Sequence, residues 1–408
     1  MNVKKLLIII AFMVFVVAMA LALYWVFFKG GTVGPGDANY DPGTIPPGGE
    51  GNVTVVSNVN AVINERLPIE DYFTGQISEV ANGGFTNVNL LTDTAVSGLT
   101  TSPGGLQYYD KDKNQFFTIN SLNQRELLTD KKFYNVSKVN WANSGDKAVL
   151  EYPDGRNIVY NFKTDKQVTL PAELQDFSFN HNSSKLIAEW INADGNEENN
   201  WIITVNDDGS GMQLIEPIGD EAGDVAVGFS PDNQVAALYR KYIDLQRQEV
   251  FPIGLNGENF SSFTVQGAGF TSEWSPDGES LVYSVHHEST DYLPNLWIAQ
   301  GESGDLGNYR TSLNLATWPD KCTFSGSTTM YCAVPKGLPR GAGLYPEIAN
   351  SYNDNFYTIN LNTGAKTLIA NPVGLSLGYS AHNLFVSDDG SLLYFTDQDG
   401  KLQSMRLN

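Results

Sequence analysis

Cysteine is nearly absent from this chain: its 408 residues contain two, Cys322 and Cys332. There is no C-x-x-C, and the four histidines form no His/Cys cluster at zinc-ligand spacing, so no metal site is expected. Positive charge is scarce too. Against 46 acidic residues stand 25 basic ones, a net charge of −21. A surface of that sign repels phosphate backbones and anionic headgroups, which argues against a nucleic-acid partner. Past the N-terminus there are no long runs of Ala, Glu, Lys and Leu, so long helices are not expected. No serine sits in a G-x-S-x-G elbow, and neither a P-loop nor a dinucleotide fingerprint occurs. No cofactor is therefore expected.

What the chain does contain is apolar and turn-forming material. Hydrophobic residues make up 41% and aromatics 12%, enough for a substantial core. The 39 glycines, with abundant Asn and Ser, favour an all-β fold with many turns.

Lys4 and Lys5 precede an uncharged apolar run over residues 6–28. As a helix it would span roughly 34 Å, enough for a hydrocarbon core of about 30 Å. Ala20-Leu21-Ala22 could be a signal-peptidase site, but the run continues through Tyr24, Trp25, Phe27 and Phe28. The expectation is an uncleaved signal anchor, with a cleaved secretory signal as the alternative. Two lysines before the run against Lys29 after it put the N-terminus in the cytoplasm and the remainder outside. Residues 30–52 are a Gly/Pro-rich stalk. Residues 53–86 receive no role, and residues 87–408 form the folded domain.

That domain is built on a repeat, clearest in SEWSPDGESLVYSV over residues 272–285. Trp274 ends one strand, Ser275-Pro276-Asp277-Gly278 fits a tight turn, and a second apolar strand leaves antiparallel. Related stretches place Thr101, Trp141, Phe179, Phe229, Phe324 and Val386 at the Trp274 position, about 40 to 60 residues apart. A second half follows each, with turns such as Asn206-Asp207-Asp208-Gly209 between its two strands. Four strands per unit at this period predict a β-propeller, here of seven blades. The last unit lacks an outer strand, and NVNLLT over residues 87–92 is free to supply it and close the ring.

The aromatic-Ser-Pro-Asp-Gly turn followed by an apolar strand resembles the WD-like repeat of TolB-type β-propellers. The match is strongest over residues 274–278 and also visible over 229–232 and 386–390. The resemblance implies a propeller fold, commonly extracytoplasmic in bacteria. It carries no function over, because TolB itself is soluble and usually six-bladed.

Loop lengths turn this topology into a map of faces. The SPDG-like turns are short, whereas the loops between second and third strands are long at residues 193–199, 240–249, 286–294 and 335–354. All four project from one face, where binding groups usually sit. The binding candidates are Arg240, Tyr242, Arg247, His286, His287, Tyr292, Arg340, Tyr345, Glu347 and Tyr352. Adjacent histidines on a strand point to opposite sides, so His286 and His287 are not expected to share a metal ion. Asp110-Lys111-Asp112-Lys113-Asn114 lacks the glycine and glutamate of a calcium loop, and Asp397-Gln398-Asp399-Gly400 reads as a turn. Cys322 and Cys332 fall opposite each other if the turn centres on Ser327, which makes a cross-strand disulfide the expectation.

Together these features lead to a membrane-anchored, extracytoplasmic seven-bladed propeller that is not an enzyme. It would bind or scaffold a protein or a cell-envelope glycan through its loop-rich face. The alternative is a propeller hydrolase or lyase with a carboxylate or His286/His287 site at the channel mouth. Carboxylate pairs are plentiful in the sequence, and nothing in it selects one.

Overall fold

The computed structural model describes residues 76–120, 123–192, 199–244 and 246–408, together with Met19. The expected anchor, the stalk and residues 53–75 lie outside the described residues. Among the described residues no helix is long and apolar enough to cross a membrane.

Hairpins dominate because the turn chemistry repeats. In the opening motif the Gly278 N–H donates to the Ser275 carbonyl at 2.9 Å, and the Ser275 hydroxyl donates to Asp277 at 2.6 Å. Gly278 has φ of +77°, which explains glycine there. Asn233 and Ser183 take the same left-handed position in weaker copies, at +58° and +61°.

The strands assemble as an all-β propeller. Among the described residues they form six hydrogen-bonded sheets, each antiparallel from inner to outer strand. Five stand free. Blade A runs Lys138–Trp141, Lys147–Glu151, Asn157–Asn161 and Lys166–Leu170. Blade B follows with Leu174–Phe179, Lys185–Trp190, Trp201–Asn206 and Gln213–Pro217. Blade C comprises Val225–Val227, Val235–Asp244, Arg247–Gly254 and Phe263–Gln266. Blade D holds Ala268–Trp274, Ser280–His286, Pro294–Gln300 and Thr311–Ser312. Blade E contains Cys322–Ser325, Thr329–Pro335, Asp354–Asn360 and Lys366–Val373.

The sixth sheet corrects the expectation of seven separate blades: five are free-standing. His382–Val386, Leu392–Thr396 and Lys401–Arg406 are joined to Gly105–Asp110, Gln115–Ile119 and Arg125–Leu127 by one long strand, Asn89–Ser102. Its first part pairs with the C-terminal strand, Asn89 with Ser404 and Leu90 with Gln403. Its last part pairs with Gly105–Asp110. Continuous backbone across this junction fuses what the repeat alone would separate. The same strand closes the ring and removes a raw sheet edge.

Residues 76–87 also lie on the domain. Phe85–Asn87 adds in parallel to Asn371–Val373 as a fifth strand of blade E, and Val80 bridges to Arg406.

Second strands are buried on both faces because each sheet is packed between neighbours. In Ser280–His286 every residue after Ser280 is buried, polar Ser284 included. Each such Leu, Val or Ile contributes roughly 1.5–3 kcal/mol of hydrophobic stabilisation. Four inner strands carry a bulge near their start, with Gly98, Asp176, Gly269 and Asn383 at positive φ. A bulge re-aims the side chains beside it.

In blade E, Cys322 stands opposite Cys332, with Cα atoms 4.0 Å apart, and the two form a disulfide.

Candidate functional site

Two regions of the domain hold chemistry. The first is the face from which the long loops project. Arg240 and Tyr242 belong to a strand rather than a loop, since Val235–Asp244 and Arg247–Gly254 continue nearly to the tip of a hairpin. The Arg240 guanidinium donates to the carbonyls of Gly223 at 2.8 Å, Phe270 at 2.9 Å and Asp224 at 3.2 Å. It ties blade C to blade D. Arg247 pairs with Asp244 at 2.7 Å. Both arginines are thus held by groups of the domain itself, and Tyr242, 55% exposed, is left at the tip.

His286 is buried, wedged against Gly343 and Gly269, and burial lowers its pKa. His287 turns away and caps a short helical turn by accepting from the Ser289 N–H at 3.1 Å. Period-two geometry separates the two rings as the sequence implied. The Tyr292 carbonyl accepts from Gly343 N–H at 2.8 Å, and the Asp291 carbonyl accepts from Gly341 N–H at 2.9 Å. Arg340 lies 3.7 Å from Asp291, and Gln246 donates to Glu288 at 3.2 Å. Three long connections are therefore laced together. Tyr345 is 63% exposed, Glu347 is exposed in the first turn of Pro346–Ser351, and Tyr352 is half-buried behind it. Residues 193–198 of the fourth loop lie outside the described residues.

Behind this face Lys321 is almost fully buried, 3.0 Å from Asp354. Burial raises the Asp354 pKa to about 6, opposed by the lysine. Burial and the Lys321 charge push His382 down to about 4, so its ring stays neutral near pH 7.

Residues 111–114 form a polar turn, and the turn expected at 397–400 is present. Asp110 accepts from the N–H groups of Asp112 and Lys113, pairs with Arg125 at 2.6 Å, and is fully buried. Gly400 N–H donates to the Asp397 carbonyl. Among the described residues no group of three His, Cys, Asp or Glu side chains could hold a metal ion.

The second region is a cavity of about 690 Å³ between the inner strands, with Ser230, Pro231, Ser275 and Pro276 at its rim. It opens beside the SPDG turns, on the face opposite the long loops. Its wall combines Phe179, Phe229, Trp274, Phe324 and Phe385 with the polar groups of Thr100, Ser178, Ser272, Thr323 and Asn143. Among its lining residues Glu273 is the single acidic one, and neither Lys nor Arg contributes. Solvent reaches Glu273 from the open side of the cavity, yet the surrounding protein desolvates its carboxylate. That desolvation, with the negative charge of Asp320 added, raises its pKa to about 7. Asp320 is itself raised, by burial against Lys321 opposing it.

Sequence reasoning passed over Glu273, though a signal existed. Aligned on Trp274, the preceding residue in the other units is Thr100, Asn140, Ser178, Gly228, Thr323 or Phe385. Glu273 is the only charged member. Alternation along a strand turns the aromatic one way and its predecessor the other. The odd charge lines the cavity, which part of the Trp274 ring also reaches.

Neither a family model nor a curated protein matches this chain. Its fold is similar to that of solved β-propellers. An oligogalacturonate lyase in complex with manganese is 14% identical over 79% of this chain and 93% of its own, with a TM-score of 0.54. The propeller domain of Swd1 from Myceliophteria thermophila is 10% identical over 78% and 98%, at 0.51. Kuenenia stuttgartiensis hydrazine synthase is 12% identical over 77% and 96%, at 0.50. At such identities the likeness is one of fold, and it does not single out the TolB-type family. It does correct the expectation that the chain is not an enzyme: that inference rested on absent sequence motifs, and the same fold carries an enzyme without them being required. Because the described residues offer no three-ligand set, the manganese of that lyase is not carried over. This chain is a β-propeller of all-β class whose channel, not its motif-rich turns, holds the unusual charge.

Proposed function

We propose that this chain is a propeller hydrolase or lyase acting on a polar glycan, with Glu273 as the group that moves the proton. The observation behind this reading is a solvent-reached carboxylate in a walled cavity, its pKa raised to about 7, with no cation paired to it among the described residues. A group poised near the working pH both accepts and returns a proton efficiently. Aromatic surface beside hydroxyl and amide groups suits the apolar faces and the hydroxyls of a sugar. Export through the N-terminal apolar run, and a relationship to TolB-type propellers through the SPDG repeat, belong to the same proposal.

The test is a panel of neutral, amino- and uronate-containing oligosaccharides. Turnover by the wild type, lowered about 100-fold or more in kcat/KM by Glu273→Gln, is the expected result. Turnover undiminished in that variant would sink the reading, as would no turnover across the panel.

A second reading concerns the loop-rich face. Tyr242 and Ile243 at the tip of the blade C hairpin, and Leu344, Tyr345, Leu375 and Leu377 on connections from blade E, are all exposed there. Apolar groups gathered on one face suit a protein partner. Replacing Tyr242 and Tyr345 by serine should abolish co-purification of that partner from intact cells while leaving glycan turnover unchanged.

A further inference from the structure

We infer that the cavity selects a ligand carrying a protonated amine. This rests on the reading of the cavity as the substrate site, and names the substrate class that the site takes.

Of the residues lining the cavity, only Glu273 and His181 are ionisable, and no lysine or arginine reaches the wall. Glu273 makes no ion pair or hydrogen bond among the described residues that would neutralise it. Asp320, on the short turn Pro319–Lys321 packed against the Ala268–Trp274 strand, adds a second negative charge acting on Glu273. The chain carries −21 overall, so the long-range field has the same sign. An anionic sugar entering this space meets the Glu273 carboxylate, with the Asp320 charge behind it and no lysine or arginine on the wall. An ammonium group finds Glu273 without a competitor.

The remaining wall fits the rest of such a molecule. Phe229, Trp274, Phe324 and Phe385 are half-buried: each packs partly between blades and leaves part of its ring on the cavity. A ring or alkyl body lies against those surfaces, and aromatic faces favour nearby cations. Thr323 on the adjacent blade, and Ser178 and Thr100 on inner strands farther round the ring, stand at the repeat position of Glu273, so hydroxyl groups share the cavity wall with the charge. A volume of about 690 Å³ falls within the range of roughly 300–1,000 Å³ that holds small ligands. The same fold in the oligogalacturonate lyase therefore does not extend to a uronate ligand here.

Calorimetric titration of the full chain with glucosamine, glucose and glucuronate tests this, because the three share a frame and differ in charge. Glucosamine should bind at least tenfold more tightly than glucose, and glucuronate more weakly than either. Glu273→Gln should lower glucosamine affinity at least tenfold and leave glucose affinity within twofold. Asp320→Asn, a second variant at a position outside the cavity wall, should lower glucosamine affinity about threefold. Tighter binding of glucuronate would overturn the inference, and so would glucosamine affinity unchanged in both variants. Equal displacement of glucosamine by sodium or calcium ions would also overturn it, since the site would then read inorganic charge alone. Glu273-dependent glucosamine binding without turnover on any glycan would keep this inference and remove the enzymatic reading.

Discussion

The Lys321 ammonium lies 3.0 Å from the Asp354 carboxylate with both side chains buried, and it also donates to the Ala381 carbonyl at 2.7 Å. Asp354 in turn accepts from the Ala381 N–H at 2.6 Å. The pair clamps blade E to the first strand of the neighbouring sheet. Lys321→Met strands a buried carboxylate and should cost about 3–5 kcal/mol, whereas replacing both partners by apolar residues should recover much of that. Urea unfolding midpoints decide it; a single-variant cost below about 1 kcal/mol would contradict the clamp.

Ring closure depends on Thr92, whose hydroxyl accepts from the Leu402 N–H at 2.9 Å and is buried. Thr92→Val keeps the shape and leaves that N–H unsatisfied, for an expected loss of about 1–3 kcal/mol. Hydrogen exchange at Leu402 should rise with it. A variant as stable as the wild type would mean that closure does not rely on this bond.

Gly343 holds the long loop of blade E against blade D. A methyl group there would meet His286 Cβ at 2.4 Å and the Tyr292 carbonyl at 2.7 Å. Gly343→Ala should therefore destabilise by about 1–3 kcal/mol and loosen the loop face before the rest of the disc. Limited proteolysis within residues 335–354, compared with thermal unfolding, separates local from global loss.

Glu273 gives stability a pH signature. Its pKa in the fold is about 7, raised from an ordinary value of 4.5. The folded state therefore takes up the proton first as pH falls, and stability is gained through pH 7 down to the unfolded value. The contribution is fully present below about 4.5 and lost as pH rises through about 7. Glu273→Gln should remove that slope. Unfolding midpoints measured from pH 5 to 8 that change in parallel for both proteins would refute the raised pKa.

Reduction should matter as well. Opening the Cys322–Cys332 bond frees a loop with a sequence separation of 10, an expected cost of about 2–3 kcal/mol in the chain-entropy account. Unreduced protein should resist alkylation; labelling of both thiols without reductant would show the bond is not formed.

The propeller was legible because its signals are local. Ser275-Pro276-Asp277-Gly278 dictates its turn through the φ preferences of four adjacent residues, and apolar strands follow at a regular period. The cross-strand position of Cys322 and Cys332 follows from the same hairpin arithmetic. The loop-rich face was legible too, since loop length survives in the sequence. What its residues do was not. Arg240 reads as a binding charge until its three carbonyl partners come from Gly223, Asp224 and Phe270, up to 30 positions away.

By itself, then, the sequence determined the hairpin unit, its repetition, and the strand near residue 90 that closes the ring. Each of these depends on neighbours in the chain or on a fixed period. Only the tertiary structure decided that Asn89–Ser102 fuses two sets of strands into one sheet, and that Glu273 lines a cavity near Asp320. Both are properties of groups brought together from separate turns of the ring. A carboxylate pKa depends on what surrounds it in space, and no spacing along the chain encodes that.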